Sequence, residues 1–300
     1  MKIKNLIILT LGILSFICAI GIEKISATPS FLVDVSPQLP KSEIFQVSQG
    51  NLTANELEER AAQLYETGQF GKAIELLEQL AANYASQSDK LGQARVFRNL
   101  ALVYRQTGEW SKANAAITSS LTSLETISNT AQKQKVLAQA LEVKGLLELS
   151  AGEPESALET WKKTADIYQQ IGDAIGVTKS QINQAQALER IGQYRQAIEI
   201  LNEVNLNLQK QPDNALKLKG LQSLAIALRV VGELDKSESV LQQSLKIAQT
   251  ISDSDSIAAS LLGLGNTARL QKKLEAATDY YQRATAASSS PYLQILSLIH

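Results

Sequence analysis

The stretch Ala101-Leu102-Val103-Tyr104-Arg105-Gln106-Thr107-Gly108-Glu109-Trp110-Ser111-Lys112-Ala113 decides the architecture. Before it, Phe97, Leu100, Ala101 and Tyr104 recur at helical spacing and form one apolar stripe. Gly108 ends that helix, because glycine enters the left-handed conformation without a Cβ clash. A second helix starts two or three residues later, and small Ala113 lets it approach the first closely. The stretch therefore reads as the tip of a helical hairpin.

The same tip recurs along the chain. Gly68-Gln69-Phe70-Gly71-Lys72-Ala73 precedes it. Gly152-Glu153-Pro154-Glu155-Ser156-Ala157, Gly192-Gln193-Tyr194-Arg195-Gln196-Ala197 and Gly232-Glu233-Leu234-Asp235-Lys236-Ser237 follow it. A sixth, Lys272-Lys273-Leu274-Glu275-Ala276-Ala277, lacks the glycine. The turn positions are spaced 40, 44, 40, 40 and 40 residues apart. A second marker keeps step: Asp89, Asn129, Asp173, Asp213 and Asp253 each follow their turn by 21 residues. Asp and Asn there are expected N-caps of the next helix. The four extra residues fall between Asn129 and Gly152, which predicts about one added turn in that first helix. A fixed period with two phased markers is the signature of a repeat array. Leu77, Ile117, Trp161, Leu201, Leu241 and Tyr281 share one register and are expected to fill the space between hairpins.

These residues resemble the tetratricopeptide repeat, whose consensus has a small residue, an aromatic three later, then Gly, aromatic and Ala. Ala101, Tyr104, Gly108, Trp110 and Ala113 match it, and the resemblance covers about Asn51 to Ala287. It implies an all-α, right-handed α-solenoid of about six helical hairpins. The 40-residue period is similar to that of the kinesin-light-chain-like subgroup. Pro154 and Glu148 depart from the pattern at aromatic positions, and Lys272 replaces a turn glycine. A left-handed Lys272 would cost on the order of 1 kcal/mol.

Composition narrows the chemistry. The chain has 300 residues, of which 44% are hydrophobic, 20% charged and 5% aromatic. Only six are prolines, with none between Lys41 and Glu153, which favours helix. The formal charge is −1, so no basic excess points to nucleic acid. Cys18 and His300 are the only residues of their kinds. They cannot build a Cys-His or Ser-His-Asp group, a Cys/His zinc site or an internal disulfide. No enzyme activity, metal or cofactor is expected.

The ends carry separate expectations. Lys2 and Lys4 precede Asn5–Ile22, 18 residues without a charge, and small Ala27 stands before Thr28-Pro29. Residues 1–27 thus read as a cleaved signal peptide, with an uncleaved membrane anchor as the alternative. Ile17 ahead of Cys18 argues against a lipoprotein. Export to a bacterial periplasm or the exterior follows. Residues 28–50 hold Pro29, Pro37 and Pro40 and read as an extended linker before the array at 51–287. Residues 288–300 read as an incomplete or capping helix, mostly apolar from Tyr292 to Ile299. An uncovered helix of that kind allows self-association. The export signal, the repeats and this last segment together are similar to bacterial repeat proteins that precede a caspase-like CHAT domain. The His-Cys pair of that domain is not in place here. A recognition portion of such a peptidase and a self-associating envelope protein are the two alternatives to a scaffold.

In the family resembled, first helices line the face that receives peptides. Three residues before each turn stand Tyr65, Arg105, Leu149, Glu189, Arg229 and Arg269. Arg98 lies ten before its turn, Arg95 one helical turn earlier, and Asn266 three before Arg269. Arginine forks suit carboxylates bidentately. Arg95, Arg98, Arg105, Arg229, Asn266 and Arg269 are therefore the candidate groove for an acidic or C-terminal protein segment. Trp110 and Trp161 occupy consensus packing positions and are expected in the core. Glu56, Glu58 and Glu59 read as first-turn helix charges, favoured by the helix dipole.

Overall fold

The computed structural model describes residues 53–209, 212 and 214–287. The expected signal segment (1–27), linker (28–50) and closing helix (288–300) lie outside these residues, as does Asp213. Twelve helices form among the described residues: α1 Ala54–Glu66, α2 Phe70–Ser86, α3 Lys90–Gln106, α4 Trp110–Glu125, α5 Ala131–Ser150, α6 Pro154–Gln170, α7 Ala174–Ile191, α8 Tyr194–Gln209, α9 Ala215–Val230, α10 Leu234–Thr250, α11 Ser254–Leu270 and α12 Leu274–Ala287. No strand occurs among them.

The chain divides into two compact units, residues 1–77 and 78–300. The described part of the first holds α1 and the start of α2. Thr53 and Glu56 close a capping box on α1, which is the role expected of that acidic first turn. Hydrogen bonds from Thr53, above all from its backbone N–H, hold the Glu56 carboxyl below its ordinary range. The rings of Tyr65 and Phe70 meet edge to face across the turn, 5.5 Å between centroids.

The second unit is a succession of hairpins. Each first helix packs on the second helix that follows it (α3 on α4, α5 on α6, α7 on α8, α9 on α10, α11 on α12). α5, α7, α9 and α11 also pack on the second helix before them. First helices touch one another as well, α3 with α5, and α9 with both α7 and α11. No hairpin covers its own apolar faces, so its neighbours do. Ala113, Ala157 and Ala197 are fully buried at the hairpin crossings. Ser237 holds the same place in the fifth hairpin, where its hydroxyl donates to the Ala225 carbonyl at 2.8 Å. All six residues of the expected inter-hairpin register are buried.

The turns behave as the spacing requires. Gly68, Gly108, Gly152, Gly192 and Gly232 have φ between 73 and 87°, and Lys272 sits left-handed at 63°. The added residues lengthen α5 to 20, against 16–18 in the other first helices of this unit. Pro154 is tolerated because it opens α6, where its missing N–H costs nothing.

Two expectations need correction. Asp89, Asp173 and Asp253 do cap their helices, accepting from the backbone N–H three residues on. In α5 and α9, however, the caps are Thr130 and Asn214, one residue after the marker. Both take extended backbone, the conformation a cap needs, and their side chains accept from Lys133 and Lys217. The second correction concerns tryptophan. Trp161 is completely buried, but Trp110 is 48% exposed at the start of α4. The first residue of a helix can satisfy the consensus and still leave most of a large ring in water.

Candidate functional site

Arg229, Asn266 and Arg269 come together on α9 and α11. Burial lowers the proton affinity of the Arg229 guanidinium; Tyr281 opposes this and the like charge of Arg269 adds to it. Asn266 Oδ1 accepts from the Tyr281 hydroxyl at 2.9 Å, which fixes the amide beside the two arginines. Neither Arg229 nor Arg269 makes an ion pair among the described residues.

The three arginines of α3 are otherwise engaged. Arg95 turns toward α2, its guanidinium 5.7 Å from the Tyr84 ring centroid and donating to that hydroxyl at 3.2 Å. Arg98 is buried; it donates to Asn99 Oδ1 at 2.8 Å and to Gln139 Oε1 on α5. Arg105 reaches Ser150 Oγ on α5 at 3.3 Å. Arg98 and Arg105 thus fasten α3 to α5. The predicted set splits into this fastening group and the Arg229–Asn266–Arg269 group.

Glu189 interrupts the row, as its sequence position implied. Burial raises its carboxyl to about 7, with only Arg190 opposing. Its Oε1 is buried with no hydrogen-bond partner among the described residues.

A further polar group was missed by reading the row three residues before the turns. Thirteen residues before their turns stand Arg95, Gln139, Lys179 and Lys219, so the same register carried the signal. Lys219 Nζ donates to Asn183 Oδ1 at 3.1 Å, joining α9 to α7. Glu142, on α5, is buried and accepts from the Tyr168 hydroxyl at 3.2 Å. Burial pushes its carboxyl upward, and Lys179, Lys219 and Arg98 are the neighbouring charges that oppose this. Burial pushes the Lys219 ammonium down; Glu142 opposes it, while Lys179 and Arg105 add to it.

Two shallow clefts lie elsewhere. One, of about 400 Å³, is lined by Glu78, Phe97, Leu100, Tyr104 and Ala116. The other, of about 340 Å³, surrounds the turn at Gly192 and Tyr194. Among the described residues no three His, Cys, Asp or Glu side chains gather as metal ligands, and no helix is long and apolar enough to cross a membrane.

Serial hairpins with glycine turns, buried small residues at each crossing and aromatic or aliphatic wedges between neighbours define a helical-repeat solenoid. The sequence pattern of the tetratricopeptide repeat matches residues 52–126 and 207–290, more than half of the chain. The chain belongs to the tetratricopeptide-repeat family, whose repeats serve protein–protein interaction. No curated protein matches it significantly. Solved structures similar to it include the Signal Transduction ATPase with Numerous Domains of Pyrococcus horikoshii, which carries a tetratricopeptide-repeat sensor. The TM-score is 0.67 at 16% identity, over 80% of this chain and 37% of that one. PilW, a type IV pilus biogenesis factor, matches at TM-score 0.60 and 17% identity, over 82% of this chain and 99% of that one. A Rap protein complexed with competence and sporulation factor matches at TM-score 0.57 and 14% identity, over 78% of this chain and 65% of that one.

Proposed function

We propose that the chain is an exported, non-enzymatic scaffold that receives an acidic segment of a partner protein on the exposed face of its first helices. The observation that carries this reading is the Arg229–Asn266–Arg269 group. Two guanidinium groups stand close together without a carboxylate partner, one of them largely withdrawn from water. Such a pair costs energy alone and gains it when a carboxylate arrives, because arginine forks bind carboxylates bidentately. Ile226 stands at the equivalent position to Asn266 one repeat earlier and is 38% exposed, which offers an apolar contact next to the charges. The family and the Rap protein solved in complex with a factor support a binding role. The proposal of export rests on the sequence of residues 1–27 alone.

The test is photo-crosslinking in the native cell from a photoreactive residue at position 226, with one at position 110 as the control. The expected result is a discrete protein adduct from 226 that disappears in the R229Q/R269Q double variant. An adduct that persists in that variant, or none from 226, overturns the reading. The intact mass of the native protein tests export: a species beginning at Thr28 supports it, and one retaining Met1–Ala27 contradicts cleavage.

A further inference from the structure

We infer that the tip of the sixth hairpin, Leu270 to Leu274, is a membrane-contact site: its leucines seat in the interface of an anionic phospholipid bilayer while Lys272 and Lys273 meet the headgroups. The inference concerns the turn between α11 and α12, not the partner site proposed above, and stands or falls separately from it.

Three positions of this tip depart together from the other five. At the turn, where Gly68, Gly108, Gly152, Gly192 and Gly232 stand, it has Lys272. At the next position, where the others have Gln or Glu, it has Lys273. Two before the turn, where the first four tips have polar residues, it has Leu270. Leu270 is 46% exposed and Leu274 66%, the highest exposure of any large apolar side chain among the described residues. Val230, at the register of Leu270 on the neighbouring α9, is also exposed and widens the patch.

Adjacent exposed apolar side chains mark a contact surface, and the charge decides what it meets. The span Arg269–Glu275 holds three cations and one anion. Glu238 pairs with Lys273 at 3.2 Å, and counting it still leaves a positive excess. Lys272 makes no ion pair among the described residues. Leucines therefore flank lysines on a turn that projects from two helix ends. Such a turn has no concavity to enclose a small ligand. An anionic bilayer accepts leucine below its headgroups and ammonium groups at their level, with the lysine stems spanning the two. The backbone agrees: Lys272 holds a φ of 63°, where glycine would rest without strain. A lysine kept in that conformation points to a use for its charge.

Lys272 also separates this role from a structural one. Lys272→Gly relieves the backbone and should raise Tm. The same change removes a charge from the headgroup layer and should weaken membrane binding. One substitution then moves stability and binding in opposite directions.

The experiment uses the full chain with Cys18 replaced by Ser and one new cysteine carrying an environment-sensitive dye. L274C places the dye at the tip, and W110C places it at the same register of the second hairpin, beside Glu109. A dye at a defined position reports insertion there, whether or not another segment also holds the chain to the membrane. The probes are vesicles of phosphatidylcholine with about one-third phosphatidylglycerol, vesicles of phosphatidylcholine alone, and soluble glycerol phosphate. With the anionic vesicles, the dye at 274 is expected to shift to the blue and to be quenched by nitroxides on the acyl chains. The dye at 110 is expected to do neither. K272G should weaken the binding read at 274 about fivefold, the value of one cation near an anionic surface, and K272Q/K273Q about tenfold or more. K272R should restore it. Thermal melts run alongside; if K272Q/K273Q fails to fold, K272G decides. The inference is overturned by no shift at 274, by an equal shift at 110, by equal binding to phosphatidylcholine alone, or by unchanged binding in K272G. A shift produced by glycerol phosphate overturns it in favour of a simple anion contact. A shift produced by lipid-free soluble extract of the native cell, and not by vesicles, overturns it in favour of a protein surface.

Discussion

The indole of Trp161 on α6 lies directly against Gly145 on α5: a Cβ at Gly145 would come 2.4 Å from Trp161 Nε1. The same indole donates to the Glu142 carbonyl at 3.2 Å, so glycine is what lets the ring reach the helix backbone. Gly145→Ala should therefore destabilise the fold, although Ala ordinarily favours a helix interior by about 1 kcal/mol over Gly. Overpacking of this kind costs roughly 1–3 kcal/mol, and the net loss should be about 1 kcal/mol. Denaturant melts check it. The loss should shrink in a Trp161→Phe background, since a smaller ring vacates the space; an equal loss in both backgrounds would exclude the contact as the cause.

The backbone at Lys272 is left-handed, like that at Ser88 and Ser252. Lys272 ends a first helix where the other repeats use glycine, and Ser88 and Ser252 end second helices where the third repeat has Gly172. Lys272→Gly should raise stability by about 1 kcal/mol, because a side chain in this conformation costs that order of energy. Ser88→Gly and Ser252→Gly should act in the same direction. An increase in Tm for each is the expected reading, and an unchanged or lower value at Lys272 would refute the strain.

Capping predicts a contrast between adjacent residues. Thr130→Ala removes an acceptor for the Lys133 N–H, 3.1 Å away, and should cost about 1 kcal/mol. Asn129→Ala touches no helical N–H and should stay within about 0.5 kcal/mol of the parent. Equal losses at the two positions would contradict the cap assignment.

Glu189 links stability to pH. Its carboxyl is raised from 4.5 to about 7 in the folded chain. Below about pH 4.5 it is protonated whether folded or not. Between 4.5 and 7 the unfolded chain releases the proton while the folded chain retains it, so this group's contribution to stability falls as pH rises and levels off above 7. A shift of that size corresponds to about 3 kcal/mol at full burial, and partial exposure reduces it to about 1 kcal/mol. Glu189→Gln should lose this decline, so it should gain relative to the parent between pH 5 and pH 8. Parallel pH profiles of Tm for parent and variant would sink the prediction.

The repeat architecture was legible because each hairpin restates the same constraints. The glycine or Lys272 at every turn, the small residues at the crossings and the wedge from Ile117 to Tyr281 all repeat at a fixed period. Departures occur where one position can serve two environments. Trp110 and Trp161 both match packing positions, but one begins its helix at the surface and the other lies mid-helix against a glycine. Asn129 carries the capping chemistry, yet the longer α5 starts one residue later and uses Thr130. The site was half legible. The arginine pair of α9 and α11 lies on a row read straight from the register. Arg98 and Arg95, ten and thirteen residues before their turn, spend their donors inside the molecule, which depends on neighbours up to 41 residues away. Lys179 and Lys219 stood in the sequence on a row ten residues further from the turns.

The long α5 shows how such an array tolerates change in length. Four residues turn a helix by about 400°, which brings its side chains back to within about 40° of their former direction. α5 begins 21 residues before its turn where α3 and α7 begin 18 before theirs, so the surplus projects past its neighbours at the far end. Gln139 and Glu142 lie after the surplus, 13 and 10 residues before the turn as Arg95 and Arg98 do before theirs, and so keep the azimuth of their counterparts in adjacent hairpins. A gain of two residues between Glu142 and the turn would instead swing the upstream part of the helix by about half a revolution and turn its polar side chains toward the hydrophobic interior. Length added at the outer end of a helix leaves the packed span in register, whereas length added inside that span keeps the packing only in whole helical turns.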